Sequence, residues 1–271
     1  MCRLFFTFTV IIFVSLQTNL FSQSQNQVGL QSGVSYYLGD LNETKHFKSA
    51  NTNFAWGLVH RLPINDRFTW KNSFLFAKIT GDDSQSESQI KQNRNLNFET
   101  KINEFSTQFE FNFFRYHSFV IRHNFSPYIF GGIAFFWFSP ATTLNGNEYN
   151  LREYRTEDQS EEYKKMQLAI PFGVGFKFKF SHRIMFALEY GIRKTFTDYL
   201  DDVSTGYPED PSQMSTVSQA LSNRNLDNGN DQNEWGMQRG NSQRKDFYTM
   251  TSFTLLIRIG KQPNLCKYNT Q

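Results

Sequence analysis

The residues suited to catalysis or metal binding are few, and most stand alone. His46, His60, His117, His123 and His182 include no pair four apart, and Cys2 and Cys266 lie near opposite ends of the chain. Neither arrangement offers the ligand spacing of a zinc site. Asp198, Asp201 and Asp202 are close enough to share a hard cation, which takes several oxygens from carboxylates and loop carbonyls. Asp40, Asp82 and Asp83 are candidates for the same rim. The competing reading has these aspartates capping turns and pairing with Arg239 or Arg193.

A second group of ionisable residues is set by pattern instead of proximity. Glu110, Lys177, Lys179, Glu189, Arg193 and Arg258 alternate with large apolar residues. In Phe105-Ser106-Thr107-Gln108-Phe109-Glu110-Phe111-Asn112-Phe113 every odd position except Thr107 is Phe, and every even one is polar. That alternation is the period of a strand. Eight segments carry it: Val28 to Tyr37, Phe54 to Arg61, Phe68 to Ile79, Phe105 to Phe113, Tyr128 to Phe138, Leu168 to Phe180, Ile184 to Phe196 and Phe247 to Ile259. A helical reading would bury charge on the apolar face.

Composition narrows the class. The 271 residues include 30 Phe, 12 Tyr and 4 Trp against 7 Pro, with 20% charged residues and a mean hydropathy of −0.54. Disordered chains are poor in aromatics, and no internal stretch approaches the ~20 apolar residues of a membrane helix. Two β-barrel classes remain, and the faces separate them. A soluble barrel keeps charge outside; a membrane barrel puts an apolar band outside and polar residues within. One face here is almost wholly Phe, Leu, Ile and Val, and the other mixes both signs of charge with Gly, Ser, Thr and Gln. The expected fold is therefore an all-β, eight-stranded antiparallel up-and-down transmembrane barrel, with the six ionised residues paired across its lumen. Trp56, Trp70, Trp137, Tyr36 and Tyr128 are expected in the interfacial girdles.

The connections alternate in length. Links at 62–66 and 181–183 are short and 114–126 is intermediate, whereas 39–52, 81–95, 139–167 and 198–245 are long. Short turns in the periplasm and long external loops follow from that alternation, with both termini periplasmic. The long loops are expected to bury little. Residues 1–22 read as a secretory signal peptide, with Arg3 ahead of the apolar run Leu4 to Leu16. Residues 23–271 then form one barrel domain with a tail from 260 to 271, and loss of Arg3 lowers the net charge from +3 to +2. Only Cys266 survives, so no internal disulfide is expected.

The periplasmic turns and tail are basic: Arg61, Arg67, Arg115, Arg122, Arg183, Lys261 and Lys267 against Asp66. Contact with outer-membrane lipid phosphate explains such a rim, and so does docking of an acidic periplasmic partner. An enzyme at the outer leaflet would need a His-activated nucleophile there, but His60, His117, His123 and His182 fall on the periplasmic side. No catalytic residue, cofactor, small-molecule substrate or nucleic-acid partner is expected, and bulky charged pairs should plug an eight-stranded lumen.

Several short stretches carry a resemblance. Tyr36-Tyr37-Leu38-Gly39-Asp40-Leu41-Asn42, Ile79-Thr80-Gly81-Asp82-Asp83, Arg94-Asn95-Leu96, Tyr128-Ile129-Phe130-Gly131-Gly132 and Arg239-Gly240-Asn241-Ser242 are among them. Together with Phe196-Thr197-Asp198-Tyr199-Leu200-Asp201-Asp202-Val203-Ser204, the most specific of the set, they resemble the PorG-like family of outer-membrane β-barrels, components of the type IX secretion system. The resemblance implies a non-enzymatic barrel that anchors a periplasmic ring, built from a PorK-like lipoprotein and its PorN-like companion, to the outer membrane. The residues add a docking face at Arg61, Arg67, Arg115, Arg122 and Arg183. The alternative is a lone barrel with a surface-binding or adhesion role carried by its long external loops.

Overall fold

The computed structural model describes residues 26–42, 51–116, 124–225 and 235–260. Residues 1–22, expected to be a signal peptide, and the tail beyond Gly260 lie outside the described residues. The strands are β1 (Gln27–Leu38), β2 (Asn53–Pro63), β3 (Phe68–Asp82), β4 (Asn97–Asn112), β5 (Phe125–Leu144), β6 (Asn147–Asn150), β7 (Met166–Lys179), β8 (Ile184–Thr195) and β9 (Phe247–Arg258). Three short helices, α1 (Gln89–Arg94), α2 (Leu151–Tyr154) and α3 (Thr216–Ser222), all lie in the long connections.

Each of the eight long strands pairs antiparallel with its two neighbours in the ring, β9 closes onto β1, and β5 pairs in addition with β6. The result is an eight-stranded barrel with no open edge within the ring. β6 is an addition at the far end of β5, joined to it through Asn145 and Gly146, both with positive φ (52° and 82°). Asn-Gly suits that turn because a two-residue hairpin of matching twist requires left-handed backbone at both positions.

The wall follows the alternation of the sequence. Phe109, Phe172, Val174, Phe176, Leu188, Phe253 and Leu255 face outward, Phe109 with 59% exposure, whereas Glu104, Glu110, Lys177, Glu189 and Arg193 are buried inside. Outward apolar positions run from Phe68 to Phe76 on β3 and from Met166 to Phe178 on β7. At ~3.3 Å per residue and a tilt of ~40°, that is a belt roughly 20 to 30 Å tall.

β3, β4 and β5 run past the bounds read from the sequence, to Asp82, Asn97 and Leu144. Beyond Phe76 and Phe105 their pattern inverts. Ala77, Ile79, Phe98, Ile102 and Phe138 turn inward, while Lys78, Glu99 and Lys101 turn outward. The upper wall is thus built like a soluble barrel, with its own apolar core.

An arginine in place of Phe172, at the middle of the belt on β7, is expected to destabilise the barrel by about 2–4 kcal/mol. Urea titration in phospholipid vesicles measures this; an unchanged midpoint would mean that this wall does not meet hydrocarbon.

Candidate functional site

The lumen is closed at two levels. Toward the short turns, an ionic tier joins six of the eight staves. Arg61 on β2 donates through Nε to Glu110 on β4 at 2.9 Å, and through Nη2 to Glu189 on β8 and the Tyr128 hydroxyl on β5. Lys71 on β3 reaches the other Glu189 oxygen at 2.6 Å, and Lys177 on β7 lies 2.5 Å from Glu110. Tyr128 donates to Glu189 at 2.5 Å, and the Lys177 ammonium sits 4.4 Å above the Tyr128 ring. Higher in the lumen, Glu104 takes hydrogen bonds from Arg193 at 3.2 Å and from Tyr248 at 2.6 Å.

Glycine makes room for this tier. A Cβ on Gly175 would come within 2.5 Å of the Tyr128 ring, and one on Gly173 within 2.7 Å of Phe130. The small residues that alternate with Phe on β7 therefore accept rings reaching across from β5.

At the other end, the connection after β8 folds down into the mouth. Leu200, Val203 and Leu221 join the apolar core of the upper wall, and Thr100 on the inner face of β4 donates to the Leu200 carbonyl at 2.6 Å. Polar contacts lock the long connections to one another. Arg94 on α1 holds Asp83 through two hydrogen bonds (2.6 and 2.8 Å) and the Arg239 carbonyl through a third. Arg239 pairs with Glu157 at 3.0 Å and donates to the Asp202 carbonyl. Glu157 also accepts from the backbone of Ser204 and Thr205. The stretches singled out by resemblance, Tyr37 to Asn42, Asp83, Arg94 to Leu96, Asp198 to Ser204 and Arg239 to Asn241, thus converge on this lid.

Tyr37 forms the latch. Its hydroxyl lies 2.6 Å from Asp201 and 2.6 Å from Asp246, and it accepts the Asp40 amide at 3.0 Å. One phenolic hydrogen serves only one carboxylate, so the second carboxyl holds a proton and donates it back to the phenol oxygen.

Several sequence expectations are corrected. Arg61 is not at the rim: its side chain is wholly buried among Glu110 and Glu189, because its position on β2 faces inward. Tyr128 faces the interior, not a girdle, whereas Trp56, Trp70 and Trp137 are on the outer wall; Tyr36 shares the outward parity of Leu30 and Val34, although its side chain is buried. The connection after β8 buries more than expected: residues 198–204 are largely buried. Arg67, Arg115 and Arg183 are exposed at the short turns, and Arg122 lies outside the described residues.

Of the six interior ions, Glu110, Lys177 and Glu189 meet in the lower tier, Arg193 joins Glu104, and Lys179 and Arg258 face inward near the short turns. Asp198, Asp201 and Asp202 point to different partners, namely Ser204, Tyr37 with the Val203 amide, and Thr156 with Tyr163. No carboxylate trio able to hold a metal forms among the described residues. Lys71, Glu104 and Tyr248 are tier members that the sequence reading missed, although each occupies an inward parity position.

Burial lifts the Asp202 carboxyl to about 6, against the opposing pull of Arg239 and its hydrogen bonds from Thr156 and Tyr163. Burial likewise lifts Asp198 to about 6. Asp201 and Asp246 are raised well above the usual range, first by burial and then by neighbouring carboxylates, Asp40 for one and Asp201 for the other. Carboxyls raised in the folded state bind more protons there than in the unfolded chain, so stability is lost as pH rises through the folded values.

Two outcomes are expected. Glu189→Gln removes the anion shared by Arg61 and Lys71, and should cost about 3–5 kcal/mol in urea unfolding, since each cation is then left partly unpaired in a dry lumen. The lid should loosen with rising pH: exchange protection of the Leu200 and Val203 amides, corrected for intrinsic rates, falls between about pH 4 and about pH 8. Asp202→Asn should flatten that fall in its lower half.

A closed antiparallel barrel with apolar residues outside and paired charges within defines the class, a β-barrel of the outer-membrane type. The chain belongs to the family described as "Domain of unknown function (DUF6089)", which matches residues 4–223. No curated protein matches it. Among solved structures it is similar to Neisserial surface protein A (NspA; TM-score 0.44, 8% identity), covering 87% of this chain and 98% of that one. It is also similar to Ail, the attachment invasion locus protein of Yersinia pestis (TM-score 0.41, 10% identity, 87% and 98% covered). A third is the outer membrane protein OprG from Pseudomonas aeruginosa (TM-score 0.39, 8% identity, 88% and 98% covered).

Proposed function

We propose that the chain is a non-enzymatic barrel of the outer membrane, exported by its N-terminal signal peptide. In this reading it is a structural component of a type IX-like secretion system that anchors a periplasmic ring. The observation that carries the reading is closure of the lumen at both levels. A barrel filled by the Arg61–Glu110–Lys177 and Lys71–Glu189 pairs, and again by Leu200 and Val203, offers its surfaces to a partner in place of a passage.

The resemblance to PorG-like barrels supports the assignment, since the stretches that carry it build the buried lid together. In this orientation the short turns face the periplasm. They are held to one another there: the Asn112 amide donates to the Arg67 carbonyl at 2.7 Å, the Tyr116 amide to the Asp66 carbonyl at 3.0 Å, and Arg67 Nη1 to the Phe113 carbonyl at 2.6 Å. Exposed Arg67, Arg115 and Arg183 give this ordered platform a positive field suited to an acidic partner. The ring expected on it consists of a PorK-like lipoprotein and a PorN-like companion.

A tagged barrel extracted from outer membranes in mild detergent is expected to bring down a periplasmic lipoprotein in stoichiometric amount. Glutamate at Arg67, Arg115 and Arg183 together should reduce that recovery by roughly tenfold or more, since like charges across an interface cost several kcal/mol. The triple variant should still show the heat-dependent gel mobility of a folded barrel. Recovery of the folded wild-type barrel alone would reject the anchor and move the function to the long-loop face.

A further inference from the structure

On the outer wall of β2, β3 and β4, one row within the belt is polar throughout. His60 on β2, Asn72 on β3 and Thr107 on β4 are register partners of one another, and all three face outward. The row above them is Leu58, Phe74 and Phe105; the row below is Leu62, Trp70 and Phe109. On β3 the outward residues of the belt are Phe68, Trp70, Asn72, Phe74 and Phe76, so the amide lies at mid-depth. The opposite wall has Phe172, Val174, Phe176, Leu188, Phe253 and Leu255 among its outward residues, with the Tyr190–Thr251 pair beside Val174 and no amide among them.

Two members of the row are partly satisfied. Thr107 Oγ1 accepts the Trp70 indole N–H at 2.8 Å, and His60 Nε2 meets the Asn26 side-chain oxygen at 3.2 Å. The Asn72 amide has no hydrogen-bond partner among the described residues. In hydrocarbon an unmet amide is costly, and an acyl chain supplies neither donor nor acceptor. Above the row lies a dent of about 340 Å³, lined by Val28, Leu58, His60, Asn72, Phe74 and Phe105 among others.

We propose that this face is a lateral interface within the membrane, and that its occupant is a second copy of the chain. A two-fold axis along the membrane normal preserves depth, so Asn72 meets Asn72 at the same level. An amide both donates and accepts, and is therefore complementary to itself. With the axis through β3, the β2 side of one copy faces the β4 side of the other. His60 then meets Thr107, and Phe105 enters the Leu58 side of the facing dent. The interface lies on the lipid-facing wall and is independent of the short-turn docking face.

The test uses the full chain with Cys266→Ser, in native membranes. Asn72→Cys, oxidised with copper phenanthroline, is expected to give a disulfide-linked species of twice the monomer mass. Phe172→Cys, on the opposite wall, should give none. Asn72→Leu, folded as judged by heat-dependent mobility, should dissociate at least tenfold more readily than wild type in mild detergent. Equal cross-linking from both walls, or an unlinked monomer from both, would overturn the proposal and leave the face to lipid. An Asn72→Cys adduct of any other mass would overturn it in favour of another membrane protein.

Discussion

A wall eight strands around leaves an interior just wide enough for its own side chains. Any charge directed inward must then be met by another side chain. That constraint organises the lower half of the molecule. Arg61 is central because a guanidinium presents several donors in a rigid plane. It engages Glu110, Glu189 and Tyr128 on three different staves, and Lys71 and Lys177 complete the two carboxylates. The glycines at 173 and 175 are the counterpart of this crowding, since the rings of Phe130 and Tyr128 occupy the space their side chains would take. Buried pairs of this kind add little net stability over apolar packing, but losing one partner is costly. They therefore act more to fix how the staves face one another than to raise stability.

The upper half meets the same narrowness differently. Above the belt the staves stand outside hydrocarbon, so the outer face turns polar and the inner face turns apolar. The connection after β8 adds Leu200, Val203 and Leu221 to the core thus gained. Taking a loop into that space also buries its carboxylates. Asp201 and Asp246 are accommodated by sharing a proton around Tyr37, and Glu157 by Arg239. The cost of sealing the mouth thus appears as carboxyls that prefer to stay protonated.

Inside the belt, period-two alternation made all eight staves legible, and the start of β3, β8 and β9 was read to the residue. The signal failed where the solvent changed. Beyond Phe76 and Phe105 the alternation continues with inside and outside exchanged, so the outward apolar residues that mark a stave in the belt no longer mark the far ends of β3 and β4. Asn145-Gly146 marked the β5–β6 hairpin but was not used. Among interior ions, those flanked by Phe were visible, whereas Lys71 lies in a strand whose outward face is interrupted by Asn72. Arg61 was placed at the rim because it ends a segment; its parity with Ala55 and Val59 was the better guide. The lid was illegible from pattern alone, since Leu200 and Val203 are isolated apolar residues in a polar connection and only their distant partners reveal the burial.

Once the lumen is closed, the remaining recognition surfaces are the short-turn rim, the outer wall and the lid. The rim is held rigid by backbone hydrogen bonds between turns and carries exposed arginines on a short tether. The lid is closed by groups whose protonation varies with pH, and its long connections are tied to one another before any partner arrives. A ligand that gripped the lid would compete with internal hydrogen bonds at Asp40, Asp202 and Arg239. A ligand at the rim displaces only water and counter-ions. On that comparison association costs least at the short turns, while the contacts within the lid keep the mouth of the barrel shut.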